Sequence, residues 1–127
     1  MNPKSYLLII VDNESFLAVL EQTLKGEGYP VATAANGEEA VELAKNKQFQ
    51  VILIDLVLPG KGGFEIIETL KDCLPEVRMI AMTGGLKGRS DSFLRMAEKM
   101  GACRTLAKPF SKEELLNAIE GRVAGPT

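Results

Sequence analysis

Asp12 with Asn13, Asp55, Thr83 and Lys108 each stand at the end of a short apolar run, and together they supply two carboxylates, an amide, a hydroxyl and an ammonium. These are groups with which a protein can handle a phosphoryl group. A hard cation such as Mg2+ takes oxygen ligands, keeps several waters, and needs only one or two protein carboxylates besides a phosphate oxygen. Asp12 and Asp55 can provide them. With the cation offsetting the charge of the incoming group, a carboxylate is free to attack phosphorus and form an acyl phosphate. Lys108 would pair with one phosphoryl oxygen as a mobile point charge, and Thr83 would donate a hydrogen bond to another. Taken singly, each residue also has a plain structural explanation: Asp12 and Asn13 as helix caps, Asp55 as a cap, Thr83 as a turn residue, Lys108 as a solvated lysine before a proline. Four coincidences at four strand ends favour the joint reading.

The joint reading needs elements that bring these residues to one edge. Val51, Ile52, Leu53 and Ile54 run into Asp55, and Pro59 with Gly60 ends the pattern in a turn. A run of this kind suits a strand buried on both faces of a parallel sheet, with Asp55 at its carboxyl end, outside which ligands bind in open α/β sheets. Residues 6–11 repeat the arrangement before Asp12. From Ser15 the period becomes helical, with Phe16, Leu17, Leu20 and Leu24 on one face and Gly26 and Gly28 available to stop the helix. Pro30 holds Tyr29 extended, and residues 31–34 make a weak strand suited to a sheet edge. Asn36 and Glu39 have capping-box spacing ahead of a helix through Ala40, Val41, Leu43 and Ala44. A third helix carries Phe64, Ile66, Ile67 and Leu70 and ends before Pro75.

Residues 77–82 form a fourth strand ending at Thr83, followed by a polar, glycine-rich segment over 86–92 that is expected to be mobile. A fourth helix follows, carrying Phe93, Leu94, Met96, Ala97 and Met100. Residues 102–107 form a fifth strand, and Ser111 with Glu114 opens a last helix running through Val123. Five strands alternating with five helices predict an α/β fold, a doubly wound five-stranded parallel sheet of flavodoxin-like (βα)5 type. The weak second and fifth strands fit the edges of the order 2-1-3-4-5.

The chain has 127 residues, 46% hydrophobic and 25% charged, which suits one globular domain, taken as residues 1–123 with a frayed tail over 124–127. Fifteen basic against seventeen acidic residues, with no basic cluster interleaved with aromatics, argue against direct nucleic-acid binding. The apolar runs are strand-sized and the N-terminus lacks a secretory pattern, so no membrane association and a cytoplasmic location are expected. Cys73 and Cys103 have neither metal-binding nor redox spacing and read as reduced thiols. The chain contains no histidine, which removes Ser-His-Asp and Cys-His catalysis and any role as a phosphohistidine carrier.

On these residues the chain resembles the receiver domain of two-component response regulators over nearly its whole length. The matching pieces are Val11, Asp12, Asn13 and Glu14 after the first strand, Asp55 with Leu58, Pro59, Gly60 and Gly63 behind it, Thr83 after the fourth, and Lys108, Pro109 and Phe110 after the fifth. The resemblance implies that Asp55 accepts a phosphoryl group from a phosphohistidine on a sensor histidine kinase or a histidine phosphotransfer protein. It implies that Asp12 and Asn13 hold the acidic-pair positions of a Mg2+ site, with Asp55 and the backbone carbonyl of Val57 as further ligands. Thr83 and Lys108 match the phosphate-sensing hydroxyl and the phosphate-pairing lysine. The label of enzyme fits poorly, because a receiver catalyses its own phosphorylation.

Two positions depart from the family pattern. Asn13 stands where a carboxylate ligand is usual, which weakens the cation site, although Glu14 is near enough in sequence to compensate in part. Thr105 stands where the family usually has an aromatic residue that rotates inward, so signalling is expected to use backbone or loop shifts, which Gly84 and Gly85 permit. Both departures motivate an alternative: a pseudo-receiver acting as a phosphorylation-independent interaction module. A flavin-binding protein of the same topology would need a phosphate-cradling loop after the first strand, where this chain is acidic. Partner contacts are expected near Phe16, Leu17 and Leu20 and at Met96 and Met100, with most of these residues in the core. Val57 and Gly85 offer no group to orient a hydrolytic water, so slow self-dephosphorylation is expected.

Overall fold

The first strand is buried on both faces because all four of its residues are large and aliphatic, and it lies in the interior of the sheet. In the computed structural model, which describes residues 5–56, 63–83 and 104–121, with only the backbone at 63 and 64, the elements run as follows. They are β1 (Leu7–Ile10), α1 (Glu14–Gly26), β2 (Val31–Ala34), α2 (Gly37–Asn46), β3 (Val51–Asp55), α3 (Gly63–Cys73), β4 (Arg78–Thr83), β5 (Arg104–Ala107) and the last helix, α4 (Lys112–Glu120). The five strands form one sheet, parallel throughout, in the order β2-β1-β3-β4-β5. The expected fold is borne out, with the weak strands at the edges. The helix expected over 93–100, the mobile segment over 86–92, and Val57, Gly84, Gly85, Met96, Met100 and Cys103 lie outside the described residues.

Strand alternation divides the core in two. Leu8, Ile10, Ile52, Ile54, Met79 and Ala81 pack on one face with Ala40 and Ala44 of α2 and Ile66, Ile67 and Leu70 of α3. Leu7, Ile9, Val11, Val51, Leu53, Ile80, Met82 and Leu106 pack on the other with Leu20 and Leu24 of α1 and Leu115, Ala118 and Ile119 of α4. Asp55 continues the series Val51 and Leu53, so its side chain belongs to the face of α1 and α4.

Local chemistry sets the helix ends. Asn13 caps α1, which begins one residue earlier than its apolar period, and the chain leaves through Gly28 at φ 94°. Asn36 caps α2, but Glu39 reaches back to the N–H of Ala35 rather than to that of Asn36. The capping box of α4 is complete between Ser111 and Glu114, and Gly121 ends that helix at φ 76°. Among the described residues no helix is long and apolar enough to cross a membrane.

Candidate functional site

The parallel register brings the predicted residues to one edge of the sheet. Asp55 is level with Met82 of β4, and Thr83 is level with Ala107 of β5. Ile10 is level with Ile54, so Val11 comes beside Asp55 and Asp12 follows it out of the sheet. The backbone continues the pairing past the strands: the N–H of Lys108 donates to the carbonyl of Thr83 at 2.7 Å, and that of Leu56 donates to Met82 at 2.9 Å. The Lys108–Pro109 peptide bond is cis.

At the centre, Lys108 Nζ donates to Asp55 Oδ2 at 2.7 Å. The Asp55 side chain is only 8% exposed and that of Lys108 30%, so the pair is held at the mouth of the crevice rather than in open water. A charge-assisted hydrogen bond in such a setting is stronger than its surface equivalent, because water screens it less. Thr83, whose carbonyl accepts from the N–H of Lys108, is fully buried, and among the described residues its Oγ1 has no hydrogen-bond partner. A buried hydroxyl without a partner is costly, and a hydroxyl in this setting is suited to donate to an acceptor brought to the edge.

The acidic-pair positions are differently occupied. Asp12 and Asn13 are both exposed. Asn13 Oδ1 accepts a hydrogen bond from the N–H of Phe16 at 2.9 Å, so the capping explanation of Asn13 holds in the structure. Its amide oxygen keeps a second lone pair. Among the described residues no three His, Cys, Asp or Glu side chains cluster as a metal site. The donors that the edge does offer, two carboxylates and an amide, are all oxygens, and they suit a hard cation that retains much of its water.

One residue of this site escaped the sequence reading. Phe16, assigned there to the core or to a partner surface, lies with its ring centroid 4.5 Å from Lys108 Nζ, and the ring of Phe110 meets it edge-on with centroids 6.2 Å apart. The available signal was its place in the first turn of a helix that starts at the reactive edge. Val19, at 58% exposure, is the large hydrophobic side chain that α1 leaves in solvent.

Comparison with known proteins agrees with this geometry. Sporulation initiation phosphotransferase F of Bacillus subtilis (strain 168) is 31% identical over 94% of this chain and 93% of its own length. Cell cycle response regulator CtrA of Brucella ovis is 34% identical over 92% of this chain, which spans only 49% of that longer protein. Among solved structures, a response regulator protein from Burkholderia pseudomallei superimposes with a TM-score of 0.83 at 36% identity, covering 91% of this chain and 66% of that one. That crystal structure contains a phosphorylated aspartic acid, a calcium ion and citrate. The sequence model of the response regulator receiver domain matches residues 7–120, nearly everything between the first strand and the end of the last helix, and the chain therefore belongs to the receiver domains of two-component signalling.

Proposed function

We propose that Asp55 is the phosphoacceptor, taking its phosphoryl group from a phosphohistidine on a sensor histidine kinase or a histidine phosphotransfer protein. The observation that carries this reading is the buried Asp55 carboxylate held by Lys108 at 2.7 Å, at the strand ends where Thr83 pairs through its backbone with Lys108 and has a hydroxyl with no hydrogen-bond partner among the described residues. In the transfer, an Asp55 oxygen forms a bond to phosphorus as the bond from phosphorus to the donor nitrogen breaks, and the electron pair leaves with the imidazole. Lys108 then exchanges its contact with Asp55 for one with a phosphoryl oxygen. Thr83 donates to another phosphoryl oxygen and gains a hydrogen bond that no described residue gives it.

Asp12, Asn13, Asp55 and the backbone carbonyl of Val57 would hold Mg2+, which offsets the negative charge of the phosphoryl group. The all-oxygen donor set supports the assignment, as does the divalent cation in the phosphorylated Burkholderia relative. The protein catalyses its own phosphorylation and needs the kinase only as donor. We assign the receiver unit to residues 1–123, with 124–127 as a tail, in the cytoplasm, without direct contact to nucleic acid or membrane. As a protein standing alone, its output would be a protein contact or onward phosphotransfer, and the naming of the Bacillus relative as a phosphotransferase supports the latter. Thr105 is half-buried in β5, and without an aromatic ring at that position the signal travels by backbone shifts.

The test is intact mass after incubation with Mg2+ and a small-molecule phosphodonor, beside Asp55→Ala. A gain of one phosphoryl group in the parent alone is the expected result. No gain at any Mg2+ concentration would leave a phosphorylation-independent interaction module as the reading.

A further inference from the structure

Phe16 joins the two halves of the site that the family pattern treats separately. Its N–H donates to Asn13 Oδ1 at 2.9 Å, tying its backbone to the cap of α1. Its ring lies 4.5 Å from the ammonium of Lys108, which in turn holds Asp55 at 2.7 Å. Phe110, two residues beyond Lys108, meets the same ring edge-on at 61°. Asn13, Phe16, Lys108 and Asp55 thus form one continuous chain of contacts from the end of β1 to the end of β3.

We propose that Phe16 is a positioning residue for phosphoryl transfer, its ring face holding the Lys108 ammonium over Asp55. This rests on Asp55 being the acceptor. A lysine has a flexible four-carbon stem and a strongly hydrated charge, and both work against holding it in one place. An aromatic face attracts the cation through its quadrupole and displaces water from one side of it. The attraction is broad over the face, so the ammonium can slide from Asp55 Oδ2 to a phosphoryl oxygen without leaving the ring. Asn13, an amide in place of a carboxylate, adds no charge to those of Asp12 and Asp55 that would draw the lysine away from that path. A charge already placed where negative charge develops costs no reorganisation during the reaction.

The experiment compares the parent with Phe16→Leu, which keeps an apolar side chain without a quadrupole, and with Phe16→Tyr, which keeps the ring. Phosphoryl uptake from acetyl phosphate is followed by intact mass at saturating Mg2+ and phosphodonor. The ε-methylene proton shifts of Lys108, which feel the ring current, are recorded by NMR. Phe16→Leu is expected to slow uptake about fivefold, with Phe16→Tyr within about twofold of the parent, the size a partly exposed cation–π contact allows. The lysine ε-methylene signals should move downfield in Phe16→Leu and stay in place in Phe16→Tyr. Should Phe16→Leu fail to fold, a ring-trifluorinated phenylalanine at position 16 keeps the shape while cancelling the quadrupole, and the same slowing is expected. Uptake as fast in the leucine or fluorinated variant as in the parent overturns the proposal alone, as does Phe16→Tyr being as slow as Phe16→Leu. A parent that takes up no phosphoryl group overturns the acceptor assignment, and this proposal with it.

Discussion

Thr83 carries a fully buried hydroxyl that makes no hydrogen bond to any described residue, and a buried hydroxyl left without one costs stability. Valine has nearly the same shape without that polar atom. Thr83→Val is therefore expected to raise the stability of the unphosphorylated protein by about 1 kcal/mol, read from the urea midpoint at unchanged m-value. A loss of similar size would mean that the hydroxyl is satisfied in solution. A second expectation concerns the acyl phosphate, whose lifetime depends on whether any side chain orients water toward phosphorus. Val57 offers none by its chemistry, so the phosphorylated protein should lose its phosphoryl group more slowly than Val57→Asn does. Equal decay, followed by mass after removal of the phosphodonor, would count against the assignment.

Between elements, Arg78 ties the start of β4 to the end of α4. Its guanidinium donates to the carbonyls of Ala118 and Ile119 in the last turn, where the helix itself offers few donors and Ala118 shares its oxygen with the N–H of Gly121. A cation at that end also complements the helix dipole. The chain turns away at Gly121, where a Cβ would come within 3.2 Å of the same guanidinium. Arg78→Met keeps most of the stem and removes the donors, and it is expected to cost about 2 kcal/mol, as for hydrogen bonds to a charged group. Chemical denaturation would measure it. Because α4 follows directly on the loop of Lys108 and Phe110, the same variant reports whether that loop depends on a well-anchored helix: phosphoryl uptake should fall less than stability does.

Across the whole molecule, two cores share one sheet, and the site sits where the sheet ends, with Asp55 on the side of α1 and α4. The opposite core depends on a close approach between α2 and α3. At Gly37 a Cβ would lie 2.7 Å from Ile66 Cγ1, and Ile66 is 1% exposed, so it has little room to retreat. Gly37→Val should overpack this contact and cost about 2 kcal/mol, seen as a lower Tm. Asp55 lies on the other face of the sheet, so phosphoryl uptake at moderate temperature should survive the substitution. A variant as stable as the parent would show that the two helices can separate freely.

The order of elements and the order of strands were legible in the chain because both follow from local signals. Strand-length apolar runs, a change of period after each, and cap residues such as Asn36 and Ser111 are written within a few residues of what they control. The co-location of Asp12, Asp55, Thr83 and Lys108 at one edge followed in turn, since parallel strands all end on the same side. What tertiary structure alone decided was how those groups spend their bonding capacity. Asn13 could be read either as a cap or as a cation ligand, and its oxygen takes the local option, accepting from the N–H of Phe16 three residues on, while its place at the reactive edge is set by the sheet. The reach of Arg78 to α4, and of the Phe16 ring to Lys108, joins residues far apart in sequence whose types have no required partner. Such contacts depend on distances between elements, and a local pattern of hydrophobicity carries no record of those distances.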